Sequence, residues 1–272
     1  MDWLDALILG IVQGLAEYLP ISSSGHLEIF REILGLDLSG ADALQFDVVL
    51  HVATVLSTIV VLWKEFLPLC KSFFTVARDD NFFYVCKILL SCIPVAIVGL
   101  CFKDFVEQFF GGGLLMVGIC LLVTACLLSF AYFFRNPDRE KKAHIRGHEI
   151  TWLDAIIIGC AQAVAVLPGL SRSGTTIATG LLLGDKRDKI AQFSFFMVII
   201  PILGEALLGM KDIIAGEAMG ESVGTLPLVV GFLASFLVGC AACKWMIEVV
   251  KKGKLIWFAV YCLAAGILCI LW

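Results

Sequence analysis

The sequence predicts an all-α integral membrane protein built as an inverted-topology repeat, each half a re-entrant helix hairpin followed by three transmembrane helices. Three observations carry that expectation: an apolar composition, a register of matching residues 149 positions apart, and basic loops gathered on one face. Of 272 residues, 60% are hydrophobic and 16% charged, with a mean hydropathy of +0.96. A soluble domain is about half apolar and about a quarter charged. The composition argues against a water-soluble fold, and no nucleic-acid partner is expected; the formal net charge of -4 says little, because the distribution of the charges matters more.

Long apolar stretches at 46–63, 83–102, 114–134, 193–210, 226–243 and 255–272 each approach or reach the roughly 20 residues that cross a hydrocarbon core as a helix. Six spans are therefore expected. The N-terminus opens with Asp2 and Asp5 instead of a basic flank and carries no small-residue cleavage site, so the first apolar segment is expected to stay in the mature protein. The eleven cysteines are scattered in or beside apolar runs without the paired spacing of a zinc site or disulfide framework, and read as small core residues.

Two segments outside these spans repeat one pattern. Trp3-Leu4-Asp5-Ala6 recurs as Trp152-Leu153-Asp154-Ala155, and the same offset of 149 carries Gly10 to Gly159, Gln13 to Gln162, Ala16 to Ala165, Ser22 to Ser171, Ser24 to Ser173, Gly25 to Gly174 and Gly35 to Gly184. Each copy reads as a short apolar helix, a polar turn containing Pro20 or Pro168, and a second short helix. Neither half spans a membrane, and an irregular turn at membrane depth is tolerated only where it is buried in protein or lines a cavity. A hairpin returns to its starting face and three spans then cross, so the second copy must enter from the opposite side. Repeat 1 covers about 1–135, a cytoplasmic linker 136–150 and repeat 2 about 151–272, in a single membrane domain. Inverted repeats with broken helices bind near the midplane, which sets Ser22–His26 opposite Ser171–Thr175.

The loop charges give the orientation. Fifteen Lys and Arg lie on the face carrying loops 64–80, 135–149, 185–189 and 244–254, against Arg31, Lys103 and Lys211 on the other, while Lys87 and Arg172 fall within membrane-embedded segments. The positive-inside rule puts the basic face in the cytoplasm and both termini outside.

The first turn offers Gln13, Glu17, Ser22, Ser23, Ser24 and His26, and the second Ser171, Arg172, Ser173, Thr175 and Thr176. Charges at membrane depth cost several kcal/mol and mark function or a partner charge. Two helices start just after these turns, so their positive dipole ends converge on one place, an anion site. Serine hydroxyls add donors, Arg172 supplies a planar fork for phosphate, and Gly25 and Gly174 let backbone approach closely. The competing readings are structural: helix N-capping for the serines, and an ion pair with Glu17 for Arg172. Gln13 and Glu17, four residues apart, share a helix face, where the carboxylate can ligate a metal or take a proton. His26 suits a nucleophile, a general acid or a capped structural residue. Asp47 and His51, also four apart, read as supporting residues. Glu205 either lends charge to the cavity or pairs with Lys211.

The runs Gln13-Gly14-Leu15-Ala16-Glu17-Tyr18-Leu19-Pro20-Ile21-Ser22-Ser23-Ser24-Gly25-His26 and Pro168-Gly169-Leu170-Ser171-Arg172-Ser173-Gly174 closely resemble the undecaprenyl-diphosphatase family, the bacitracin-resistance type of membrane phosphatase. Motif order and span layout agree over essentially the whole chain. The resemblance implies hydrolysis of undecaprenyl diphosphate to the monophosphate and inorganic phosphate, dependent on a divalent cation (Mg2+ or Ca2+), in the bacterial plasma (inner) membrane with the site open to the outer face. It gives active-site roles to Glu17, Ser23, His26, Ser171, Arg172, Ser173 and Thr176, with His26 or Ser23 acting on the terminal phosphorus. Ser22, Ser24, Gly25 and Gly174 complete the expected phosphate cradle, and Gln13 stands where the family accepts Glu or Gln, so the metal rests on Glu17 with an amide beside it. The rival reading is a lipid-phosphate flippase using the same anion site. The partners expected are a polyprenyl diphosphate lipid and the bilayer, with room for a homo-oligomer. The charge count predicts that a C-terminal fusion to a reporter active only in the cytoplasm stays silent; a signal from it would reverse the orientation.

Overall fold

The computed structural model describes residues 1–36, 38, 40–102, 113–135, 147–214 and 223–272, without the side chains of 40, 41 and 209–214. Residues 136–146 of the expected linker, Lys103 and the Lys211 side chain lie outside the described residues. In chain order the helices are α1 (Trp3–Ala16), α2 (Ser23–Leu34), α3 (Gly40–Val61), α4 (Trp63–Phe74), α5 (Asp80–Cys101), α6 (Gly113–Phe134), α7 (Trp152–Val164), α8 (Arg172–Leu183), α9 (Arg187–Ile214), α10 (Thr225–Lys251) and α11 (Ile256–Leu271).

Five of these, α3, α5, α6, α9 and α10, are long and apolar enough to cross a membrane. Their outward surfaces carry Ile93, Leu100, Phe130, Leu207 and Leu237, side chains that suit lipid and not water. The chain is a multi-pass membrane protein. The sixth expected span forms as α11, but its 16 residues rise only about 24 Å, short of a hydrocarbon core of about 30 Å. All eleven cysteines are free; five are buried as core residues, while Cys101, Cys126 and Cys160 are exposed on the outward helix surfaces.

The repeated segments fold alike because their local chemistry is alike. Asp2 caps α1 and Asp5 returns the bond to the Asp2 N–H; Thr151 and Asp154 build the same capping box on α7. Both second helices stop at a left-handed glycine, Gly35 with φ 64° and Gly184 with φ 106°, a conformation that side-chain-bearing residues resist. Packing partners are exchanged between the halves. α1 lies on α10 and α7 lies on α5, while α3 packs on α9 and α6 on α11.

The two hairpins approach their partners backbone to backbone. A Cβ on Gly10 would sit 2.5 Å from the Gly231 carbonyl oxygen, and one on Gly159 would sit 2.4 Å from that of Ser91. With lipid as solvent, association rests on such close packing more than on apolar burial. Gly159→Ala should therefore destabilise the detergent-purified protein by about 1–3 kcal/mol, seen as a lower thermal midpoint. Gly99→Ala, where nothing lies within 4 Å, is the control expected to leave the midpoint within error.

Candidate active site

The turns that join α1 to α2 and α7 to α8 lie inside the protein and touch. A Cβ on Gly25 would meet the Gly169 Cα at 3.0 Å, and one on Gly174 would meet the Pro20 Cβ at 3.1 Å. The Ser173 hydroxyl donates to the Leu19 carbonyl across the junction, at 3.2 Å. Each second helix is capped by a serine: the Gly25 N–H donates to Ser22 Oγ and the Gly174 N–H to Ser171 Oγ, at 3.3 and 3.0 Å. Ser22 has φ 72° and ψ 103°, a region that L side chains avoid, whereas Ser171 is extended. Backbone strain at one turn only fits a site where geometry is held by its surroundings.

Glu17, the residue after α1, is the hub. Its Oε2 accepts from Gln13 Nε2 at 2.9 Å and from Ser23 Oγ at 2.8 Å, and lies 3.7 Å from His51 Nε2; its Oε1 lies 3.5 Å from the Arg172 guanidinium. The Glu17 side chain is 6% exposed and that of Arg172 20%. A buried carboxylate is costly unless paired and hydrogen-bonded, and this one is both. Tyr18 locks the turn: its hydroxyl bonds the Thr54 carbonyl and the hydroxyls of Ser57 and Thr58 on α3, all within 2.8 Å.

A small cavity opens beside this hub. Glu17, Thr58, Gln162, Arg172, Ser173 and Thr176 are among the groups lining it. Gln162, the counterpart of Gln13 in the second repeat, is fully buried with neither amide atom hydrogen-bonded. It was not among the residues expected at the site, although the 149-residue register pointed to it. Ser194 was likewise unforeseen, because only folding brings α9 against α8; its hydroxyl bonds that of Thr176 at 2.6 Å.

Other expected site residues are placed differently. Ser22 and Ser171 hold helix caps, so the Gly25 and Gly174 amides already have partners. Ser24 stands 3.5 Å from the Ser22 hydroxyl. His26 is buried: its Nδ1 faces the Ser22 carbonyl at 2.8 Å, so that nitrogen carries the proton, and Nε2 accepts from Tyr261 on α11 at 2.7 Å. Asp47 pairs with Arg31 and not with the cavity, while its neighbour one turn on, His51, does reach Glu17. Glu205 is exposed, away from the cavity lining.

Gln13 turns its Nε2 and not its Oε1 to Glu17, and Arg172 already sets a positive charge beside the carboxylate, so a divalent cation here would need the amide to turn over. Gln13 Oε1 and His51 Nε2 are buried without a hydrogen-bond partner beside the Glu17 carboxylate, an oxygen-rich group with one imidazole.

Fold and site together define a polytopic helical membrane protein with a buried carboxylate, guanidinium and hydroxyl cavity where two repeated turns meet. Residues 6–268 match the family model of the bacitracin resistance protein BacA. The chain is 55% identical to an undecaprenyl-diphosphatase of Bacteroides thetaiotaomicron, over 98% of this chain and 97% of that one. It is 56% identical to an undecaprenyl-diphosphatase of Bacteroides fragilis (99% and 98%) and 38% to one of Carboxydothermus hydrogenoformans (98% and 96%). The protein belongs to the BacA family of undecaprenyl-diphosphatases.

Proposed function

We propose that this protein hydrolyses undecaprenyl diphosphate to undecaprenyl phosphate and inorganic phosphate, recycling the lipid carrier of cell-wall synthesis in the inner membrane. Family membership supports the reaction, and one observation carries it to this site: the Glu17 carboxylate holds the Ser23 hydroxyl at 2.8 Å and faces Arg172 at 3.5 Å beside a cavity. Arg172 moves from Glu17 to the diphosphate when the lipid enters, its fork matching two phosphate oxygens. The hydroxyls of Ser173 and Thr176 line the same cavity and add donors. Ser24, Gly25 and Gly174 shape the turn, and Ser22 and Ser171 serve it as caps.

Ser23 is better placed than His26 to attack. A hydroxyl against a carboxylate is the nucleophile–base pair of covalent catalysis, whereas the basic nitrogen of His26 is occupied by Tyr261. The Ser23 oxygen bonds the terminal phosphorus, its proton passes to Glu17, and the anhydride bond breaks to release undecaprenyl phosphate. Glu17 passes that proton to the departing phosphate group, and the restored carboxylate takes a proton from water, which frees the phosphate from Ser23 as the proton returns to the serine oxygen. Glu17, Gln13 with its amide turned over, and His51 would hold the divalent cation, which supplies charge neutralisation to the diphosphate. Positioning and charge neutralisation dominate phosphoryl transfer in general. His26 supports the turn through the Ser22 carbonyl.

The architecture belongs to the same reading. An inverted repeat of a re-entrant hairpin and three spans, divided near residue 135 and resuming near 151, is supported by the matched capping boxes and by the exchanged pairings of α1 with α10 and α7 with α5. The basic loops set the termini and the mouth of the cavity on the outer side.

Purified protein in detergent should release inorganic phosphate from undecaprenyl diphosphate in a reaction abolished by a chelator and restored by Mg2+ or Ca2+; a flippase would release none. Arg172→Lys should be strongly impaired and Arg172→Ala inactive, since removing a buried charged partner costs about 2–5 kcal/mol. Near-normal turnover by a monodisperse Arg172→Ala protein would remove the phosphate site. Glu17→Gln should lose most activity while Gln13→Glu keeps it, and equal loss from both would make the pair a packing feature.

A further inference from the structure

A second cluster of ligand-bearing groups lies at the opposite end of the second hairpin. His148 Nδ1 stands 3.4 Å from Asp185 Oδ1 and 3.7 Å from Asp154 Oδ2, and the three side chains bring ligand atoms within 4.8 Å of one another. Asp185 is fully buried, yet neither of its carboxylate oxygens has a hydrogen-bond partner. Lys186, the next residue, is held by Glu149 at 2.6 Å. The Arg135 guanidinium lies along Gly184, but Asp185 takes no hydrogen bond from it.

The histidine sharpens the case. Its Nε2 is 3.1 Å from the Leu183 carbonyl and its Nδ1 is 3.0 Å from the Glu149 carbonyl. A neutral imidazole has one N–H, so it satisfies only one of these oxygens. With Nε2–H donating to Leu183, as the outer nitrogen of a metal-bound histidine donates to a carbonyl, the Nδ1 lone pair faces one carbonyl oxygen and two carboxylates. In that tautomer one nitrogen lone pair and three oxygen groups face one another, with the Arg135 charge acting on Asp185 from beside Gly184.

We propose that His148 Nδ1, the Glu149 carbonyl, Asp154 and Asp185 form a structural site for one first-row divalent cation, of the Mn2+ or Zn2+ class, that clamps the base of the second hairpin. Mixed imidazole and oxygen ligands select that class over Ca2+. Ligand bonds of about 2.1 Å place tetrahedral ligands about 3.4 Å apart, close to the spacings here. Asp154 already accepts the Thr151 N–H in its capping box, the supporting bond that a ligating carboxylate needs.

The position gives the role. Asp154 sits in the first turn of α7 and Asp185 follows α8, so a cation between them joins the hairpin's two open ends to the segment entering it. The 12 residues of α8 separate this site from Arg172 by about 18 Å along the helix, well outside the cavity. The first hairpin is not built this way: the 149-residue register sets Leu36, which cannot ligate, in place of Asp185, and Asp5 serves only its cap.

The test counts Mn2+ bound to the chelator-stripped full-length protein in detergent, by the electron paramagnetic resonance signal of the free ion, and follows the thermal midpoint in parallel. Wild type should bind one equivalent more than Asp185→Asn or His148→Gln, with at least a tenfold weaker constant at this site in either variant. Glu17→Gln, which removes the cavity carboxylate, should keep that equivalent. Mn2+ should raise the midpoint of wild type and Glu17→Gln but not of Asp185→Asn. Equal Mn2+ stoichiometry in wild type and both cluster variants would overturn the proposal and leave a proton as the charge that joins these groups. Because binding is read directly, failure here is separate from failure of the phosphatase reading, which is decided by phosphate release.

Discussion

The contact on which the structure depends is the one between Glu17 and Arg172. One charge comes from each repeat, and both side chains are largely withdrawn from solvent at the level where the chain should be most apolar. A carboxylate in such a place needs opposite charge and hydrogen-bond donors together, since removing either leaves a buried charge uncompensated. The surrounding fold supplies them from four directions: Gln13 one turn earlier on α1, Ser23 at the start of α2, His51 from α3 and Arg172 from α8. The helix packing around the hairpins can be read as what holds those four elements within reach of one carboxylate.

The two turns are alike where they fold and unlike where they do chemistry. Ser22 and Ser171 cap with the same bond to a glycine amide three residues on, and Gly35 and Gly184 end the helices in the same conformation. At the positions between, the register sets Glu17 against Val166, Ser23 against Arg172 and His26 against Thr175. One turn thus carries the carboxylate and hydroxyl, and the other the guanidinium. A diphosphate placed between them would meet an attacking group on one side and charge neutralisation on the other, which a strictly symmetric pair of turns could not offer. Divergence extends to the far end of the second hairpin, where His148, Asp154 and Asp185 gather and the first hairpin has Leu36.

How much of this was legible in the sequence differs by level. Apolar runs of span length and paired capping signals are local, so the long helices and the capped starts of α1 and α7 could be read directly. The limit was length: α11 was expected to span with the others, but its helix stops at 16 residues. Glu17, Ser23, Arg172, Ser173 and Thr176 stood out in the sequence as charged or polar residues in apolar surroundings, and the fold brings them together at one cavity or its hub. The same argument picked out Ser22 and Ser171, whose hydroxyls cap helices, and Asp47, which pairs with Arg31. Polarity at depth signals a partner without saying whether that partner is a ligand or the protein's own backbone.

The sequence by itself determined the solvent, the helical segments, the 149-residue register of matching residues and the residue types able to bind a phosphate, since each follows from composition or spacing along the chain. Tertiary structure alone decided which of those groups share a cavity. It turned His26 toward Tyr261, 235 residues away, brought Gln162 and Ser194 to the side of Glu17 and Arg172, and joined Asp185 to His148 across the hairpin's base. Those outcomes depend on how helices distant in sequence pack and on which side of each helix faces inward, and no local pattern encodes that geometry.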